Sequence, residues 1–142
     1  MSVPTYRRGK QKFEVITKAL GLADYTLKIC KNEKHFPKRD RWLLTSKIVD
    51  SVMHITECVR KANAIRIITE EDYNRRRTLQ MQSYEECEWL LTLIDISYRN
   101  LNLASDRVEY WSNLVVELEA LISSWRKSDR DNYKKMISNP QG

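Results

Sequence analysis

The sequence predicts an all-α chain: an antiparallel up-down-up-down four-helix bundle formed by a single domain over residues 1–142. Three observations carry that prediction. The chain has only three glycines and three prolines, and none of them lies between Lys38 and Asn139, so most of its length contains no strong helix breaker. Four segments carry apolar residues at alternating steps of three and four, the spacing that lines one face of a helix. Hydrophobic residues make up 42% of the chain and charged residues 31%, enough for a core and for well-solvated outer faces.

The first helix, over about residues 10–32, carries Phe13, Ile16, Leu20, Ala23, Leu27 and Cys30 as its stripe. The second, over about 37–64, carries Ile48, Val52, Ile55, Val59 and Ala62, with Leu44 entering the core ahead of them. Pro37 suits its first turn, where a missing N–H is no loss. The third, over about 70–102, carries Tyr84, Cys87, Leu91, Ile94, Tyr98 and Leu101. Thr69 is its predicted N-cap, and Glu70, Glu71 and Asp72 complement the helix dipole in its first turn. The fourth, over about 105–136, is expected to take Ser105 as its N-cap with Asp106 in its first turn, and carries Val108, Trp111, Val115, Leu118, Ile122 and Trp125. Four consecutive amphipathic helices with short connections bury one another best as a bundle of antiparallel neighbours.

That topology sorts the charges. The start of helix one, the end of two, the start of three and the end of four share one pole. It collects Arg7, Arg8, Lys10, Lys12, Arg60, Lys61, Arg66, Arg75, Arg76, Arg77, Arg126, Lys127, Arg130, Lys134 and Lys135, fifteen of the 25 basic residues. Seven acids stand against them, leaving about +8 at a pole of a chain whose whole charge is +6. Polarised basicity of this kind suits a phosphate-bearing partner. Lys38, Arg39 and Arg41, although contiguous and dense, belong to the weaker opposite pole and read as the approach to helix two.

Catalytic and metal chemistry find little support. His35 sits in the loop before Pro37 and His54 beside the stripe of helix two, and both read as surface or boundary residues. A helical RNA nuclease of the HEPN type would place arginine four to six residues before a histidine, and neither histidine has one. No Glu-x-x-His pair suited to a di-iron bundle and no glycine-rich phosphate loop occurs. No cofactor or metal is expected. Cys30, Cys58 and Cys87 are odd in number and form no C-x-x-C pair, which fits small hydrophobes in a reducing cytoplasm. Neither a secretory leader nor a membrane span is expected.

Some apolar residues fall outside the stripes. Trp89, Tyr110 and Val116 should point away from the bundle axis, and Val15, Leu22 and Ile29 repeat every seven residues as a second seam on helix one. Either that seam, with Trp89 and Tyr110, meets a subunit or partner, or helix one is more deeply buried than its first stripe implies.

The run FPKRDRWLLTSKIVDSVMHITECVRKANA resembles the signature of small bacterial four-helix-bundle proteins related to those encoded in 23S rRNA intervening sequences. With the start YRRGKQKFEVITKA and the later LLTLIDISYRNLNLASDRVEYWSNLVVELEALISSWRKSDR, the chain is most similar to the accessory variability determinant (Avd) of diversity-generating retroelements. The resemblance spans about Gly9 to Arg130. It implies a non-enzymatic homo-oligomer, a pentamer in that family, which binds the retroelement reverse transcriptase and template RNA or RNA/cDNA through its basic surface and supports mutagenic cDNA synthesis. The alternative it leaves open is a structural scaffold of the intervening-sequence type that binds no nucleic acid.

Overall fold

The computed structural model describes the backbone of residues 5–139 and the side chains of residues 14–139. Four α-helices make up the described chain: α1 (Thr5–Lys31), α2 (Ser46–Ala64), α3 (Glu70–Asn100) and α4 (Ser105–Ser138). No strand occurs among the described residues, and no helix there is long and apolar enough to cross a membrane.

Side-chain pairs set the relative directions of the helices. Ser51 and His54 of α2 meet Glu86 of α3, whereas Cys58, further along α2, meets the earlier Gln82. Tyr73 and Gln80 of α3 meet Tyr133 and Asp129 of α4, and Lys18 and Thr26 of α1 meet Glu117 and Trp111. In each case one number rises as its partner's falls, so these neighbouring helices run in opposite directions.

The core follows the predicted stripe on two helices. Ile48, Val52, Ile55, Val59 and Ala62 of α2 are fully buried, as are Trp111, Val115, Leu118 and Ile122 of α4. On α3 the apolar face is rotated: Leu90 and Leu93 are buried with Cys87 and Ile94, while Tyr98 is exposed. The reason is the first half of α3, where Arg76, Gln80 and Ser83 occupy the inward positions and shift the buried face away from a purely apolar stripe.

Helix α1 corrects the sequence reading most. Val15, Leu22 and Ile29, expected as a possible partner seam, are buried in the chain's own core together with Ala19, Ala23 and Cys30. Leu20 of the expected stripe is exposed instead, and the side chain of Phe13 lies outside the described residues. The two stripes overlap on the helix, and the buried one contains Thr26, whose polarity hides the pattern. Thr26 is buried because its hydroxyl accepts the indole N–H of Trp111 at 3.0 Å.

The entry to α2 also differs. Pro37 leads into a 3₁₀ turn (Lys38–Asp40), then a wide π turn (Arg41–Thr45), and regular helix begins only at Ser46. The wide turn buries Leu44 while leaving Trp42 81% and Leu43 74% exposed.

The start of α3 matches its local chemistry. The Thr69 hydroxyl accepts the Asp72 backbone N–H at 3.1 Å, and the Asp72 carboxylate accepts the N–H groups of Thr69 at 3.1 Å and Ile68 at 3.2 Å. This is a capping box, and those backbone N–H donors hold the Asp72 carboxyl below its usual range. At α4 the N-cap is Ala104, without a side-chain bond; Ser105 is already helical and Asp106 remains in the first turn.

Candidate nucleic-acid interface

The buried face of α3 starts with an arginine that the sequence reading placed on the binding surface. Arg76 is only 4% exposed. Its Nε donates to Asp129 Oδ2 at 2.7 Å and a terminal nitrogen donates to Oδ1 at 2.8 Å, a two-pronged pairing with α4. Its other terminal nitrogen donates to the carbonyl of Ile65, the residue that caps the end of α2, at 3.0 Å. The guanidinium also lies over the Trp125 ring, 5.1 Å from its centroid, and Gln80 donates to Asp129 Oδ2 at 2.7 Å. Arg76 therefore locks three helices together and is removed from the candidate contact set. A buried charge survives only when paired and hydrogen-bonded, and Asp129 is the partner that linear charge counting treated as a surface acid.

The remaining predicted cations divide by exposure. Arg60, Lys61, Arg66, Arg75, Lys127 and Arg130 are exposed, and Lys61 is tied to Glu57 one turn away at 2.6 Å. The side chains of Arg7, Arg8, Lys10 and Lys12 lie outside the described residues. Arg77 and Arg126 are half-buried. Arg77 donates to the Arg126 carbonyl at 3.4 Å and sits over Tyr73, which stacks flat on Tyr133 with ring centroids 3.9 Å apart. Burial first, then the neighbouring charges of Arg77 and Arg130, lower the affinity of Arg126 for its proton. Arg126 Nε is buried and has no hydrogen-bond partner. Arg77 and Arg130 thus add their fields to that of Arg126 on the α3–α4 side, a cationic strip offset in part by the Asp131 carboxylate 3.9 Å from Arg130 Nε.

Beside this strip a cavity of about 460 Å³ is bordered by α1, the α2–α3 connection, α3 and α4, with Val15, Arg66, Trp125 and Tyr133 among its walls. The first half of α1, the segment after α2, the start of α3 and the second half of α4 meet there. Lys38, Arg39 and Arg41 are exposed on the α1–α2 connection, where Arg39 lies 3.6 Å from Asp40 and Lys38 lies 3.4 Å from Glu33. At the same end His35 lies in the field of Lys34 and Arg107.

Of the expected outward aromatics, Trp89 is 47% and Tyr110 55% exposed, and Val116 is exposed as well. Tyr110 packs edge-on against Tyr25 of α1 at 5.0 Å.

Two polar clusters escaped the sequence reading. His54, Cys58, Glu86 and Ser51 form one between α2 and α3: His54 Nδ1 lies 2.8 Å from Glu86 Oε1, the Ser51 hydroxyl donates to Glu86 Oε2 at 2.8 Å, and Cys58 Sγ lies 3.5 Å from His54 Nε2. The i,i+4 spacing of His54 and Cys58 was visible along the chain, but their meeting with Glu86 on another helix was not. The second cluster pairs Glu88 with buried Glu119, whose carboxyl is pushed up to about 7 by burial, then by the hydrogen bond and the charge of Glu88. No set of three or more His, Cys, Asp or Glu residues among those described is arranged to hold a metal ion.

Comparison of the chain with protein-family models, with curated proteins and with solved structures finds no match.

Proposed function

We propose that the protein is a non-catalytic, cytoplasmic accessory subunit of a diversity-generating retroelement, an Avd-like homo-oligomer that binds the reverse transcriptase and template RNA and supports mutagenic cDNA synthesis. The observation that supports the RNA-binding part is the cationic strip of Arg77, Arg126 and Arg130, together with the exposed Arg66, Arg75 and Lys127. Phosphates approaching it would relieve the mutual field of these cations, which favours a polyanion over an uncharged partner. The flat Tyr73–Tyr133 stack beside the strip adds aromatic surface of the kind that accompanies single-stranded nucleic acid. The reverse transcriptase and the pentamer rest on the family resemblance.

The test is RNA binding as a function of salt. Binding through several phosphates on a single strand should weaken with a log-log slope of about −0.7 per neutralised phosphate. The triple variant Arg75→Glu, Lys127→Glu, Arg130→Glu, with Arg76 left in place, should flatten that slope and lose most of the affinity. A wild-type affinity that does not change between about 50 and 200 mM salt defeats the reading. Mass in solution tests the oligomer, and a monomer would remove it. Co-purification with the reverse transcriptase tests the remaining partner.

A further inference from the structure

Three cysteines are buried in this chain, and they do not share an environment. Cys30 and Cys87 lie in the core, where burial raises the Cys30 thiol to about 12 and holds Cys87 in its neutral form as well. Cys58 has 3% of its surface exposed, yet its sulfur faces an imidazole rather than a hydrocarbon wall.

In the tautomer that carries its proton on Nδ1, His54 donates to Glu86 Oε1 at 2.8 Å. His54 Nε2 then presents a lone pair 3.5 Å from Cys58 Sγ, where it can accept from the thiol. Glu86 is itself held by the Ser51 hydroxyl at 2.8 Å. Thiol, base and orienting carboxylate thus stand in the order in which a base-assisted nucleophile is built. His54 is half exposed to solvent. The thiol also donates to Gln82 Oε1 at 3.9 Å, an acceptor on an exposed side chain of α3 that competes with the imidazole for the thiol proton.

From this arrangement we infer that Cys58 is the reactive thiol of the chain, a modification site for small soft electrophiles of the α,β-unsaturated carbonyl class. Burial, Glu57 and Glu86 keep the resting group a thiol, and Lys61 opposes them only in part, so reaction requires the proton to leave as the bond forms. The Cys58 sulfur adds to the β-carbon of the alkene and the π bond breaks. The thiol proton passes to His54 Nε2 and then, through solvent, to the α-carbon. Neither an oxidant nor a leaving group is needed. The modification is stoichiometric, and it is independent of the RNA-binding reading.

The test is N-ethylmaleimide labelling of the folded full-length chain, read site by site by peptide mass spectrometry, with Cys30 and Cys87 as internal controls. Cys58 should label at least tenfold faster than either. His54→Asn should slow it about tenfold and abolish the inflection in its pH–rate profile, Glu86→Gln should slow it severalfold, and Gln82→Ala should speed it, all at unchanged melting temperature. Equal labelling of the three cysteines overturns the inference, as does an unchanged Cys58 rate and pH profile in His54→Asn. If His54→Asn lowers the melting temperature, Gln82→Ala decides: no acceleration there counts against the assignment.

Discussion

Helix α3 is buried by two different chemistries along its length. From Arg76 to Ser83 its inward face is polar and is bonded to Asp129, the Ile65 carbonyl and the backbone, with Gln80 Oε1 alone left without a partner; from Cys87 to Ile94 it is apolar. The apolar half tolerates any partner of suitable shape, because burial of hydrocarbon is non-directional. The polar half accepts one register only, since a shift of one residue would strand a buried guanidinium. Its location matters too: the internally neutralised Arg76–Asp129 pair lies beneath a pole where Arg66, Arg75 and Arg130 are exposed and Arg77 and Arg126 are half-buried.

Removing Asp129 should produce the largest effect. Asp129→Ala leaves Arg76 buried without its counter-charge and should cost about 3–5 kcal/mol in chemical denaturation. The double variant Arg76→Met, Asp129→Leu should recover most of that loss if the pair supplies register rather than net stability. If the single variant costs under about 1 kcal/mol, the two halves of α3 do not differ as described. In the apolar half, Leu90→Ala should cost about 2–5 kcal/mol through the lost transfer energy and the cavity left behind, and should do so equally at low and high salt.

Glu88 follows Cys87 at the start of the apolar half and pairs with Glu119 of α4. The folded Glu119 carboxyl holds its proton up to about 7 against an ordinary 4.5, so the stability it contributes is full below about 4.5 and is lost as pH rises through 7. Glu119→Gln should therefore match the wild type near pH 4.5 and exceed it at pH 8 by about 1–2 kcal/mol, read as a rise in melting temperature. A variant with the same pH dependence as the wild type would place the titration elsewhere. Breaking the cap at the polar end by Thr69→Ala should cost about 1 kcal/mol. The smallest stability change belongs to Arg75→Glu, within about 0.5 kcal/mol, while RNA affinity falls; that separates the outward arginines from the buried one.

Much of the fold was legible along the chain because its causes are local. The absence of breakers between Lys38 and Asn139, the stripes of α2 and α4 and the Thr69–Asp72 cap all act within a few residues. Of the candidate interface, the convergence of basic residues on one pole was legible from helix order. The fate of Arg76 was not: Arg75, Arg76 and Arg77 are identical side chains in a row, and only the helical rotation between them turns the middle one inward. The exposed Trp42 and Leu43 went unrecognised for a related reason, since a wide turn interrupts the spacing that would have placed them.

The sequence by itself determined four helices, the Thr69 cap of α3 and the excess of positive charge, since these depend on short-range hydrogen bonding and composition. Tertiary structure alone decided which of two overlapping stripes on α1 enters the core, which arginine is neutralised and which carboxylate meets the histidine beside Cys58. Each of those choices depends on a partner at least 30 residues away, Trp111 for Thr26, Asp129 for Arg76 and Glu86 for the His54 that faces Cys58, and no local pattern carries that information.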